Sequence, residues 1–269
     1  EEEHVASDGK AGYLGGRLFD ASGYEPNQLF MKTMIGGLVS NQMVNVYLGD
    51  AKMNGPADKP TQVKDDNDNG VLEGGKNYTE MEHNWDEAFG YLWGLATNAQ
   101  TMTNGVSDNP DDILLDKYLQ KVNKTADYKG IARDILQAFR IGRKAIVEKD
   151  YATRDAQRVI LKQLVSKVVL VRPHHYLNSA LNKDVSDDSG KVAFFHDLSE
   201  GMGFLLSTME TDNGSGTPLV TEAELTASGV FQNSELVKPV SAWKFLVDGD
   251  DRNNLIALRD LLAGKIAAL

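Results

Sequence analysis

Apolar residues recur at helical spacing through most of the chain. From Gln28 to about Leu48 they fall at Phe30, Met31, Met34, Ile35, Leu38, Val39, Met43, Val46 and Tyr47, the period of one face of an α-helix. Gly36 and Gly37 interrupt that pattern, each costing about 1 kcal/mol relative to alanine in a helix interior. A closely packed neighbouring helix would offset the cost. Thr79-Glu-Met-Glu82 has the form of a capping box, predicting a helix that starts just before His83 and runs to about Thr97. Further helical periods cover 113–122, 131–149, 155–181, 192–209, 221–227 and 254–267. The second of these turns Ile135, Leu136, Phe139, Ala145 and Ile146 inward, and Pro173 is expected to kink or break the third. Residues 1–27 read as an irregular surface segment, and 49–77, 104–112, 182–190 and 211–217 as loops, with Asp248-Gly-Asp-Asp251 as an acidic turn capping the last helix. No stretch alternates convincingly enough for a strand, so the expected fold is all-α.

Two stretches share one pattern. His83-Asn-Trp-Asp-Glu87-Ala-Phe-Gly90-Tyr-Leu92 and His196-Asp-Leu-Ser-Glu200-Gly-Met-Gly203-Phe-Leu205 are both His-x-x-x-Glu-x-x-Gly-aromatic-Leu. Each follows an amphipathic helix ending in Tyr-Leu (Tyr47-Leu48, Tyr176-Leu177) and a polar insert. The repeat predicts two pseudo-repeated helical bundles packed together with long polar loops. The expected domains are residues 1–128, a first repeat truncated at its N-terminus, and 129–269, a second repeat with a C-terminal helix.

At about 100° per residue, the faces of each signature helix can be counted. Met81, Trp85, Ala88, Phe89, Leu92 and Trp93 form an apolar face, with His83, Glu87, Gly90 and Gly94 opposite. In the second copy Leu198, Met202, Leu205 and Leu206 oppose His196, Glu200, Gly203 and Ser207. Glycine is a poor choice for a merely solvated helix face, so this face predicts close approach by a helix or a ligand. Histidine and glutamate at i and i+4 project together. The four side chains His83, Glu87, His196 and Glu200 are therefore candidate ligands for a divalent transition metal such as iron, zinc, manganese or copper. The alternative is a hydrogen-bonded seam between helices. Arg140 and Arg143 are candidate ligand-binding residues and competitors for the carboxylates, since a buried glutamate needs a partner.

Asp65-Asp-Asn67-Asp-Asn69-Gly70-Val-Leu72 matches the opening of an EF-hand loop, with Asp65, Asn67 and Asn69 as candidate calcium ligands. Lys76 stands where the bidentate glutamate belongs. With 39 acidic residues against 28 basic ones and a net charge of -11, nucleic acid and anionic membranes are disfavoured as main partners. There is no cysteine, hence no disulfide or thiolate site. No apolar run reaches the ~18 residues of a membrane span. The start, Glu1-Glu2-Glu3-His4, is neither a signal peptide nor an initiator methionine. It reads as a processed or truncated end, which leaves room for a secretion signal upstream. Nothing marks an activated serine, a phosphate loop or a His-Glu-x-x-His helix.

The two signatures, with Gln28-Leu-Phe30, Asn45-Val-Tyr-Leu48, Lys76-Asn-Tyr-Thr-Glu-Met-Glu-His83, Ala138-Phe-Arg-x-Gly-Arg143 and His175-Tyr-Leu-Asn178, resemble an uncharacterised-domain family of bacterial exported lipoproteins. That family looks like a branch of the imelysin-like proteins. The resemblance covers most of residues 10–210 and implies a two-bundle α-helical protein at the periplasm or cell surface, associated with iron uptake. Imelysin-like proteins carry His-x-x-Glu, one residue shorter than the spacing here. The functional expectation is a non-enzymatic exported binding protein that holds a metal ion or small ligand between the signature helices. The alternative is a module for other surface proteins in which the His/Glu pairs are structural; a metallopeptidase is the least supported reading.

Overall fold

Gly15 and Gly16, with φ of +57° and +76°, form the two-residue turn of an antiparallel hairpin between β1 (Gly12–Leu14) and β2 (Arg17–Phe19). Positive φ at both central positions is the turn geometry that matches strand twist, and Gly-Gly supplies it without strain. The first segment is thus not irregular throughout. A second short antiparallel pair, β3 (Phe231–Gln232) with β4 (Glu235–Leu236), follows late in the chain. Apart from these strands the regular structure of the described residues is helical, and the fold class is all-α. The computed structural model describes residues 12–20, 23–94, 114–212, 216–229, 231–232, 235–236 and 252–269. The loop expected at 104–112 and the acidic turn at 248–251 lie outside the described residues.

The helices are α1 (Pro26–Met34), α2 (Asp50–Met53), α3 (Gln62–Asp68), α4 (Glu80–Trp93), α5 (Leu114–Asn123), α6 (Ile131–Glu148), α7 (Tyr151–Leu181), α8 (Asp188–Met209), α9 (Glu222–Ala227) and α10 (Asn253–Ala268). Pro26 opens α1 at a position where its missing N–H is not needed. Beyond α1 the helix continues through two π-helical segments, Ile35–Ser40 and Gln42–Tyr47. The Thr79 capping box is complete: its hydroxyl accepts from the Glu82 N–H, and Glu82 accepts from the Thr79 N–H. The 49–77 stretch, expected as loop, contains α2 and α3. Val63, which α3 buries, is the apolar anchor that a reading for turn residues passes over. Pro173 does not break α7, which runs on to Leu181.

Two compact units emerge, but not as sequential halves. One comprises Glu1–Gly36, Val169–Glu210 and Pro218–Leu269; the other comprises Gly37–Val168 and Thr211–Thr217. These are not the expected stretches 1–128 and 129–269, since α7 is shared between the two units. Its N-terminal part belongs with α4–α6, and the rest belongs with α1 and α8. In the first unit Leu170, Leu177, Phe194, Phe195, Leu198, Met202 and Leu205 form a core with Leu255, Leu258 and Leu262 of α10. The hairpin adds Leu14 and Phe19. In the second unit α4 packs against the Gln42–Tyr47 segment, α6, α3 and α5. It buries Met81, Trp85, Ala88, Leu92 and Trp93 of the face expected from counting, and leaves Phe89 of that face half-buried.

Candidate functional site

The second signature lies in a chain of charges within its unit. Glu25, only 5% exposed along its side chain, accepts from His196 Nδ1 at 2.7 Å and from Arg17 Nη1 at 2.9 Å. A carboxylate offers only acceptor oxygens, so the Nδ1 that bonds it is the donor. The Arg17 nitrogen, 3.0 Å from that same Nδ1, competes for the oxygens of Glu25 rather than bonding the ring. The other ring nitrogen lies 3.6 Å from Glu200, beyond hydrogen-bond range. Glu200 is instead bonded by Lys32 Nζ at 2.9 Å, and Lys32 also donates to Gln28. Burial alone would raise the Glu200 carboxyl. The Lys32 bond and charge, with His196 and Tyr176, outweigh it and hold the group below the usual range.

Here the small residues serve a helix seam. A Cβ on Gly203 would meet the Leu29 carbonyl oxygen and the Lys32 Cβ, both at 2.7 Å, so α1 lies directly on α8. One turn on, Gly36 meets Ser207 still more closely and donates its N–H to Ser207 Oγ at 2.9 Å. That hydroxyl donates in turn to the Lys32 carbonyl at 2.6 Å. A π segment displaces the regular helical hydrogen bonds, and an inserted side chain can satisfy the freed groups. Ser199 ties the start of α1 in the same way, accepting from the Glu25 N–H at 2.8 Å.

Among the described residues the first signature is open. His83 Nε2 and Glu87 Oε1 are 3.7 Å apart, with their side chains 42% and 41% exposed. Tyr78 stacks on the His83 ring at 5.2 Å. A Cβ on Gly90 would touch nothing within 4 Å. One turn past Glu87, Tyr91 contacts Tyr47, whose hydroxyl is raised by burial and then by the Glu87 charge. The two His/Glu pairs, although alike in sequence, therefore have opposite surroundings, each within its own unit.

Arg143 takes neither signature carboxylate. It bonds Glu82 at 2.7 Å and Asp86 at 3.0 Å, residues that flank His83 on α4. Burial opposes ionisation of Glu82, but the Thr79 N–H and Arg143 together hold its carboxyl below the usual range. Beside this pair lies a groove of about 460 Å³ between α4 and α6. Trp85, Phe89, Leu136, Phe139 and Val147 line it, with Asp86, Arg140, Arg143 and Lys144 among the remaining walls. Gly142 is what admits the Trp85 ring, since a Cβ there would lie 2.1 Å from it. The indole N–H is satisfied by the Phe139 carbonyl at 3.0 Å. Arg140 and Arg143, the two arginines singled out from the sequence, thus border one apolar surface.

The candidate calcium residues sit on or beside α3. Asp65 accepts from Thr61, and Asn69 donates back to the Asp65 carbonyl. Asn67 is buried, donating to the Ile146 carbonyl and Tyr151 while accepting from Thr79. The three side chains are thus engaged separately rather than converging on one point. Among the described residues no group of three or more His, Asp or Glu side chains is arranged to hold a metal ion. At His196 the reason is geometric: Glu25 and Glu200 address opposite ring nitrogens, and Arg17 and Lys32 already occupy those carboxylates.

Sequence reasoning missed Arg17, Glu25 and Lys32, because their link to His196 and Glu200 joins distant segments. It also missed Arg154, 1% exposed, which donates to the Met53 carbonyl, Asn54 and Asp155. Arg158 joins it by bonding Leu48, Asp50 and Asp155. The spacing Arg154-Asp155-x-x-Arg158 at the start of a helix was the available signal.

An all-α chain with a charged helix seam and an apolar groove is the class that these features define. The chain belongs to the family described as Domain of unknown function (DUF4856), whose model matches residues 1–230. No curated protein and no solved structure matches it. Among the described residues no helix is long and apolar enough to cross a membrane.

Proposed function

We propose that this chain is a non-enzymatic binding protein and that its ligand site is the groove between α4 and α6. The observation that carries this reading is the groove itself: an aromatic floor of Trp85, Phe89 and Phe139 with arginines at its edge. A concave, mostly apolar surface with a few placed polar groups is the common form of a small-molecule site. The ligand class that fits is a small amphiphile, its apolar body on the rings and an anionic or acceptor group toward Arg140 and Arg143. Export to the periplasm or cell surface, and kinship with imelysin-like proteins, belong to the same reading and rest on the motif resemblance.

Metal binding fits the seam less well. At His196 and Glu200 a divalent ion would have to displace Lys32 and Arg17, and at His83 and Glu87 it would find two ligands on an open surface. The test is titration with an aromatic sulfonate such as anilinonaphthalene sulfonate, followed by its fluorescence. Saturable binding with one site is expected, weakened about tenfold or more by Val147→Glu, which places a charge on the groove wall. Val147 is 61% exposed, so this change spares the core. Equal binding by the parent and the variant would overturn the assignment.

A further inference from the structure

The geometry points to the outer face of α4 (His83, Glu87, Gly90 and Gly94) as a docking surface for an α-helix of a partner protein, one that brings a lysine to Glu87 and its backbone against Gly90. This face is separate from the α4/α6 groove. The argument comes from the other copy of the same pattern. On α8 the equivalent residues His196, Glu200, Gly203 and Ser207 hold a helix: Lys32 bonds Glu200 at 2.9 Å, and Leu29 and Lys32 lie against Gly203. On α4 the pattern is intact, but among the described residues a Cβ on Gly90 would meet nothing within 4 Å. An exposed glycine inside a helix weakens that helix without any packing return. At Gly203 the return is visible as the α1 contact.

Charge supports the same occupant. Among the described residues the ion pair made by Glu87 is with His83, at 3.7 Å, where Glu200 has Lys32 as well. Tyr78, stacked on His83, and Tyr91 provide apolar flanks of the kind that line helix-binding surfaces.

The probe is a peptide with the sequence of residues 25–40, the segment that fills the seam on α8, held helical by a side-chain bridge between positions 27 and 31. Asn27 and Met31 are both exposed in α1, so the bridge leaves the docking face clear. The full chain is expected to bind this peptide saturably, as followed by fluorescence anisotropy. Gly90→Leu should weaken binding about tenfold or more by blocking backbone approach while improving helix propensity. Glu87→Gln should weaken it about threefold, the worth of a half-exposed ion pair. A peptide carrying Lys32→Met should lose the same factor, with no further loss when both changes are combined. Absence of binding at about 1 mM peptide, or binding unchanged by Gly90→Leu, would overturn the inference. The second outcome would place the peptide on α8 in exchange for α1.

Discussion

Lys32 and Glu200 meet at 2.9 Å across the α1–α8 seam, each with a side chain 11% exposed. Removing one partner of such a pair leaves a charge that water no longer reaches. Lys32→Met is therefore expected to destabilise the fold by about 3 kcal/mol. Replacing both, as Lys32→Met with Glu200→Leu, should restore part of that loss. Urea unfolding of the two singles and the double closes the cycle; strictly additive losses would show that the pair is not coupled.

The two signature glycines should respond with opposite sign. Gly203→Ala pushes a methyl group into the Leu29 carbonyl and Lys32, and should cost about 1–3 kcal/mol. Gly90→Ala meets open space and should stabilise α4 by up to about 1 kcal/mol. Thermal melts of the two variants are a direct comparison, and a shared sign would contradict the asymmetry.

Acid should loosen the seam through Glu200. Its folded carboxyl titrates below the ordinary value of 4.5, so the unfolded chain takes up the proton more readily. The stabilisation is complete above pH 4.5 and is lost as the pH falls through the folded value. Glu200→Gln, less stable at neutral pH, should show a shallower loss of stability below pH 4.5 than the parent. Parallel acid-denaturation curves would rule this out.

Asn67 is a structural node that joins Ile146, Tyr151 and Thr79. Asn67→Ala leaves Thr79 and the Ile146 carbonyl without their buried partner, and should cost about 2–3 kcal/mol. The parent's melting temperature should be unmoved by millimolar calcium, which differential scanning calorimetry would read.

Much of the fold was legible because most helices carry one apolar stripe, and α4, α8 and α9 have a side-chain cap at their start. Met81, Trp85, Ala88, Leu92 and Trp93 were placed inward by counting alone, and Thr79 marked the helix start. What counting missed has physical causes. The Gly36-Gly37 interruption gave no sign of π-helical segments, the first of which meets Ser207 of a different helix at Gly36. The calcium-like run matched a motif by composition, while Val63 and Asn67 had a core and a hydrogen-bond network to join. The seam was readable as a polar, small-residue face. That one copy is filled and the other open depends on tertiary position, which neither signature encodes. The groove was half visible: Arg140 and Arg143 stood out, but the gap between Trp85 and Val147 arises only when α4 meets α6.

The interleaved units also impose an order of events on a chain made from its N-terminus. Residues 37–168 are nearly all that the second unit needs, so it can assemble soon after α7 begins to emerge. The first unit cannot: α1 is made early, but α8, its seam partner, is made late. In the interval the backbone at Gly36 and the ammonium of Lys32 wait without Ser207 and Glu200.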